Sequence, residues 1–246
     1  APHLLQGHDV GPALLEPGTE TTPHRRPNAV HVGGGDAQRG HGSPSYLPWR
    51  AECSTRILTT MGTLSYGMIT SLDGYAEGPD GRFDWATPDE STHRFVNERE
   101  REFGTYLYGR RLFETMQVWA EDDWLEGEPD VLHEYADIWR DRDKIVYSTT
   151  MAAPTLARTR LERTLDLDAV RALKESTDAG ICVGGPTLAA ALMRARLVDE
   201  LTMYIAPVVV GAGAPALPGV SLDLTLLEER RLGEGFLYVR YAIRNP

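Results

Sequence analysis

The sequence predicts an α/β fold: a mostly parallel, twisted central sheet with helices on both faces and an antiparallel C-terminal hairpin. Three observations predict it. From residue 64 to about residue 210, short apolar runs alternate with segments of helical period, the pattern of parallel strands joined by crossover helices. Two strand-like runs, Leu224–Leu232 and Gly235–Ile243, then follow with only Gly233-Glu234 between them, which is hairpin spacing. Glycines stand directly after several apolar runs, at Gly74, Gly109 and Gly184-Gly185, at the strand ends where ligands of such sheets bind.

The elements can be justified in order. Leu64–Ser71 is short, mostly apolar and closed by Asp73-Gly74, so it reads as a buried strand. Gly78-Pro79-Asp80-Gly81 is a loop. Thr87 or Asp89 can cap a helix running to about Phe103. Thr105–Tyr108 is a strand ending at Gly109, and Arg110–Met116 a short helix. Gln117–Asp130 is an acidic loop carrying Trp119 and Trp124, and Val131–Trp139 is helical. Lys144–Ser148 is a strand and Thr155–Leu161 a shorter one. Leu167–Ser176 is a helix capped near Asp166. Ile181–Val183 is a strand, Gly184-Gly185 its turn, and Leu188–Leu197 the next helix. Leu201–Val210 is a long apolar run, interrupted by Pro207 and closed by a turn at Gly211-Ala-Gly213.

Residues 1–60 differ from the rest. They hold 7 of the 16 prolines, 8 of the 24 glycines and 5 of the 7 histidines, without sustained apolar periodicity. They read as a disordered extension, with residues 61–246 as the folded domain. Met61 opens the patterned part and reads as the physiological start. The net charge is −11, which disfavours nucleic acid and anionic membranes as partners. Cys53 and Cys182 are the only cysteines. They exclude a disulfide framework within residues 61–246 and suit a reducing cytoplasm. No apolar run reaches membrane-spanning length. His93 and His133, even with Cys182, do not form a metal set at zinc spacings.

The chemistry concentrates at the strand ends. A glycine pair between strand and helix lets a ligand approach the backbone. The helix start offers unpaired N–H groups and a partial positive charge. Gly184-Gly185 is therefore a candidate phosphate cradle. Arg110 or Arg111 can pair with a phosphate bidentately, or Arg110 can pair with Glu114 at i,i+4. Ser148, Thr149 and Thr150 offer hydroxyls. Trp85, Trp119 and Trp124 can line a planar pocket or simply pack. No Gly-Lys-Ser/Thr follows these glycines, which counts against a P-loop.

Taken in order, Ser71-Leu-Asp-Gly-Tyr75, Leu107-Tyr-Gly-Arg-Arg-Leu-Phe-Glu114, Gly184-Gly-Pro-Thr-Leu188, Leu197-Val-Asp-Glu-Leu201 and Ala206-Pro-Val-Val-Val-Gly-Ala-Gly213 resemble the dihydrofolate reductase-like superfamily. In particular they resemble the reductase domain of riboflavin biosynthesis, the C-terminal half of the bifunctional deaminase-reductase. Phe83-Asp84-Trp85 resembles its small standalone members, and the zinc deaminase signature is missing. The resemblance implies NADPH as hydride donor and a pteridine, ribosylaminopyrimidine or similar small heterocycle as substrate. It implies Gly109 and Arg110 at the cofactor phosphates, with Arg110 or Arg111 near the 2′-phosphate. Ser148 and Thr149 would lie by the adenosine end, and Gly184, Gly185, Pro186, Thr187 and Leu188 would form the pyrophosphate loop. Asp73 would stand near nicotinamide or substrate, with Glu77 as the other proton candidate, and Trp85 would bind substrate. Leu112 replaces the usual threonine. A homodimer is implied, built on the terminal hairpin and Leu201–Val210. The alternative is a nucleotide-binding protein of the same fold without turnover.

Overall fold

A computed structural model of the protein describes residues 62–244. The expectations for the extension and for Met61 lie outside the described residues. In chain order the strands and helices are β1 (Leu64–Thr70), β2 (Tyr75–Glu77), α1 (Glu90–Glu100), β3 (Phe103–Gly109), α2 (Arg110–Met116), α3 (Asp130–Arg140) and β4 (Asp143–Tyr147). There follow β5 (Thr159–Glu162), α4 (Leu167–Glu175), β6 (Gly180–Gly184), α5 (Pro186–Arg194), β7 (Glu200–Ile205), β8 (Ala214–Pro215), β9 (Asp223–Leu232) and β10 (Phe236–Arg244). Eight strands form one sheet in the order β5-β4-β3-β6-β1-β7-β10-β9, and β2 pairs with β8 separately. The first six of the eight are parallel; β10 runs antiparallel to both β7 and β9. The predicted α/β class and C-terminal hairpin are what is found.

Strand alternation assigns the two faces. Leu64, Tyr66, Leu107, Ile181 and Val183 turn to one side, where Val170 of α4 and Ala189 and Leu192 of α5 cover them. Their neighbours turn to the other. There Tyr106, Tyr108 and Cys182 meet Phe113 of α2 and Trp139 of α3. Phe95 of α1 meets Tyr204 and Tyr238 on the same side.

Several boundaries differ from the sequence reading, each for a local reason. α1 stops at Glu100 rather than near Phe103, because Phe103 pairs with Gly180 as the start of β3. α5 begins at Pro186 rather than Leu188, since proline suits the first helical position. It ends at Arg194, where Arg196 adopts φ 57° and the Leu197 N–H reaches the Leu192 carbonyl at 3.0 Å. That is a Schellman ending. β7 ends at Ile205, before Pro207, and Val208 becomes a loop residue whose carbonyl accepts from Leu72 N at 2.8 Å. The β2–β8 pair was not predicted, because strands of three and two residues carry no readable period.

Candidate active site

The carboxyl ends of the parallel strands share one edge of the sheet. Tyr108 lies opposite Gly184, and Gly109 opposite Tyr147, so Gly109 and Gly184 end their strands nearly level. β1 and β7 continue further, pairing to Thr70 and Ile205. A cavity of about 1520 Å³ opens from this edge and runs along the second face of the sheet. Its floor includes small residues, Ser65 and Gly67 of β1 and Cys182 of β6. A Cβ added at Gly67 would meet nothing within 4 Å, so the space above that strand is open.

Two of the predicted clusters meet in this cavity. Gly109, Arg110, Arg111 and Leu112 line it, and so do Gly184, Gly185, Pro186, Thr187 and Leu188. Gly184 has no room for a side chain: a Cβ would overlap the Leu112 side chain and come within 2.9 Å of the Tyr108 ring. Gly185 is held at φ 90°, a conformation that favours glycine, and precedes α5 as its N-cap without a side-chain capping bond. The first N–H groups of α5 are thus open to a ligand. Arg110 pairs with Glu114 at 3.2 Å, both exposed. Arg111 is exposed and has no ion-pair partner among the described residues.

Glu77 also lines the cavity, whereas Ser148, Thr149, Asp73 and Trp85 lie outside its wall. The Ser148 hydroxyl accepts from Met151 N at 3.0 Å and Thr150 N at 3.3 Å; with Thr149 it forms a turn beyond Tyr147, next to Gly109 along the edge. Asp73 is exposed, and its carboxylate accepts from Gly211 N at 2.7 Å and Val210 N at 3.1 Å. Hydrogen bonding from Ser71, then from those two N–H groups, holds its pKa below the ordinary value. It is a loop tie that stays ionised, a poor store for a proton. Trp85 packs against the Phe95, Tyr204 and Tyr238 cluster and lines a smaller depression with Pro79 and Val210. Its indole N–H is buried and has no hydrogen-bond partner among the described residues.

The inner wall holds Trp119 and Trp124, which the sequence offers for a planar pocket, together with Tyr135, His93 and Glu100, which it does not. Trp119 contacts Tyr135 with ring centroids 4.5 Å apart and Trp124 at 4.9 Å, and all three line the cavity. His93 meets Tyr135 edge-on at 5.5 Å; burial lowers its pKa, against the bond with Asn97, so the ring is neutral. Glu100, at the end of α1, also reaches the cavity. Its Oε2 accepts from the Tyr106 hydroxyl at 2.7 Å, and burial pushes its carboxyl up to about 7. No three metal-ligating side chains converge among the described residues, and no described helix is long and apolar enough to cross a membrane.

Comparison with known proteins adds the family. The model of the RibD C-terminal domain matches residues 63–238. The chain is 28% identical over 179 residues to the uncharacterized protein YyaP of Bacillus subtilis, covering 71% of this chain and 91% of that one. A protein assigned to riboflavin biosynthesis from Shewanella sp. PV-4 superposes with a TM-score of 0.58 at 18% identity, over 74% of this chain and 99% of that one. Dihydrofolate reductase from Enterococcus faecalis, solved with NADP(H), gives 0.50 at 14% identity, over 75% and 98%. The last two likenesses are of fold.

Proposed function

The chain belongs to the RibD C-terminal domain family, and from that premise we propose that it is an NADPH-dependent reductase of a small conjugated heterocycle, a ribosylaminopyrimidine or a pteridine. The observation that carries this reading is the meeting of Gly109–Leu112 and Gly184–Leu188 in one large cavity. The residues suit a dinucleotide. The open side of Gly185, where a Cβ would have no neighbour nearer than 4.0 Å, admits a pyrophosphate against the backbone. The uncapped start of α5 supplies N–H donors to it. Arg111, and Arg110 if it leaves Glu114, can take the 2′-phosphate. The turn at Ser148 and Thr149 offers the adenosine end a polar neighbour. Leu112 supplies packing against Gly184 where a threonine would supply a hydroxyl.

NADPH supplies a hydride from its nicotinamide; the protein supplies binding, orientation and a proton. Trp119, Trp124 and Tyr135 offer flat surfaces for a heterocyclic ring. The acidic net charge and the buried free thiol of Cys182 support a small-molecule enzyme of the reducing cytoplasm.

Titrating NADPH and NADH by thermal shift tests the nucleotide, and NADPH oxidation with a panel of pterins and ribosylaminopyrimidines tests the reaction. NADPH should bind more tightly than NADH, and Arg111→Ala should narrow the gap. Gly185→Asp should weaken both by tenfold or more, because a carboxylate there repels the pyrophosphate. Equal affinity for the two nucleotides removes the role of the arginines. Tight NADPH binding without oxidation across the panel favours a binding protein of the same fold.

A further inference from the structure

Adding hydride to a C=N or C=O bond leaves an electron pair on nitrogen or oxygen that must find a proton. Asp73 is tied to the Val210–Gly211 loop and lies outside the cavity wall. Glu77 reaches the wall but is exposed to solvent. Glu100 differs from both. It is largely buried, it lines the cavity, and its Oε2 accepts from Tyr106 while Oε1 has no hydrogen-bond partner among the described residues.

Its surroundings favour a neutral acid. Burial first, with Glu100 adding to it, raises the pKa of Tyr106 and Tyr108 of β3, Tyr135 of α3, Cys182 of β6 and Tyr204 of β7, so these neighbours stay protonated and bring no charge of their own. Arg142, after α3, is the cation that favours its charge and Glu102 the anion that opposes it. Burial outweighs these and the Tyr106 bond together, leaving the carboxyl near 7, where an acid can both hold and release a proton at neutral pH. The fold does not need this carboxyl. A glutamine would accept the same Tyr106 bond without the cost of burying an ionisable group. A residue that costs stability and faces a cavity is a candidate for chemistry.

We propose that Glu100 is the proton donor of the reduction. The inference rests on the reductase reading above. The substrate carbon takes hydride from the reduced nicotinamide, which is thereby oxidised, as the π bond of C=N or C=O breaks. The freed electron pair on nitrogen or oxygen takes the Glu100 proton. The carboxylate left behind regains a proton from cavity water.

Two measurements test it. In the ligand-free protein, 13C NMR of labelled glutamate, assigned by comparison with Glu100→Gln, should give a midpoint near 7, and Tyr106→Phe should move it higher by removing a bond that favours the charged form. A midpoint in the ordinary carboxylate range near 4.3 overturns the proposal whether or not the protein is a reductase. In turnover with the heterocycle that oxidises NADPH fastest, the wild-type rate should fall as pH rises through about 7. Glu100→Gln should lose about 100-fold or more in kcat and the pH dependence with it, at unchanged NADPH affinity, and Tyr106→Phe should shift the alkaline limb upward. Wild-type turnover with an unaffected Glu100→Gln overturns the donor role alone. Failure of the wild type to oxidise NADPH with any heterocycle overturns the reductase reading and the donor role together.

Discussion

Gly184 and Gly185 sit side by side but answer to different constraints. Gly184 is glycine because Leu112 and Tyr108 fill the space a side chain would take, and Gly185 because the chain turns there at positive φ. The sequence shows both as one glycine pair, and the cradle reading is legible because strand, glycine and helix are adjacent in the chain. Glu100 is illegible for the opposite reason. It and Tyr106 belong to different elements, and only the turn from α1 into β3 brings them to 2.7 Å. The raised carboxyl has a consequence for stability. Its folded value is about 7 against an ordinary 4.5, so between these values the folded state holds a proton that the unfolded chain has released. Stability from this group is complete below about 4.5 and is lost as pH rises through about 7. Access to cavity water softens the effect, to on the order of 1–3 kcal/mol. Glu100→Gln removes it, so the variant should match wild type near pH 5 and melt about 3–10 °C higher near pH 8. Scanning calorimetry at the two pH values checks this; a variant less stable than wild type at the higher pH refutes it.

At the scale of elements, existence was easier to read than extent. Apolar runs and helical periods are local properties, so each long strand and helix was found. Ends depend on partners elsewhere: Phe103 leaves α1 because Gly180 is waiting in β6. β2 and β8 are held by contacts that no short window contains; a Cβ on Gly213 would overlap the Glu77 carbonyl. The start of α1 shows how one side chain can fix an element to another. Asp89 accepts from Ser91 N at 2.9 Å and Thr92 N at 3.1 Å, and also from Glu234 N at 3.0 Å in the turn between β9 and β10. Gly233 leaves space for that carboxylate, which a side chain there would overlap. The Ser91 hydroxyl first, and then the Thr92 and Glu234 bonds, hold the Asp89 pKa well below its ordinary value. Its contribution is therefore present at neutral pH and is lost as pH falls below about 3.8 and through the folded value. Asp89→Ala should cost about 1–2 kcal/mol in urea unfolding at neutral pH. Asp89→Asn, which can still cap, should cost less. An unchanged midpoint for the alanine variant would show that the hairpin does not depend on this tie.

At the scale of the whole molecule, a sheet with β5 and β9 at its ends has two edges, and they are unlike. β5 is four residues long; β9 is ten and mostly exposed. Leu226 is 46% exposed and Leu227 50%, and Leu237 on the neighbouring β10 is 45% exposed. A long edge strand with unpaired backbone groups and apolar side chains invites pairing with another copy. The homodimer face expected from the sequence comprises the terminal hairpin and Leu201–Val210, and β9 is the edge strand of that hairpin. β7, the strand part of Leu201–Val210, lies inside the sheet between β1 and β10 with Leu201 and Met203 buried, while Val209 beyond it is exposed. We propose that two copies associate through β9. Sedimentation at micromolar concentration should then give a dimer, and Leu226→Lys, which places a charge on the edge as natural edge strands do, should give a folded monomer with unchanged circular dichroism. Gly109–Leu112, Gly184–Leu188 and Glu100 all line one cavity within a single chain, so the monomeric variant should still bind NADPH with wild-type affinity. A wild type that sediments as a monomer would dismiss the interface, and a monomeric variant that loses nucleotide binding would show that the site needs the second copy.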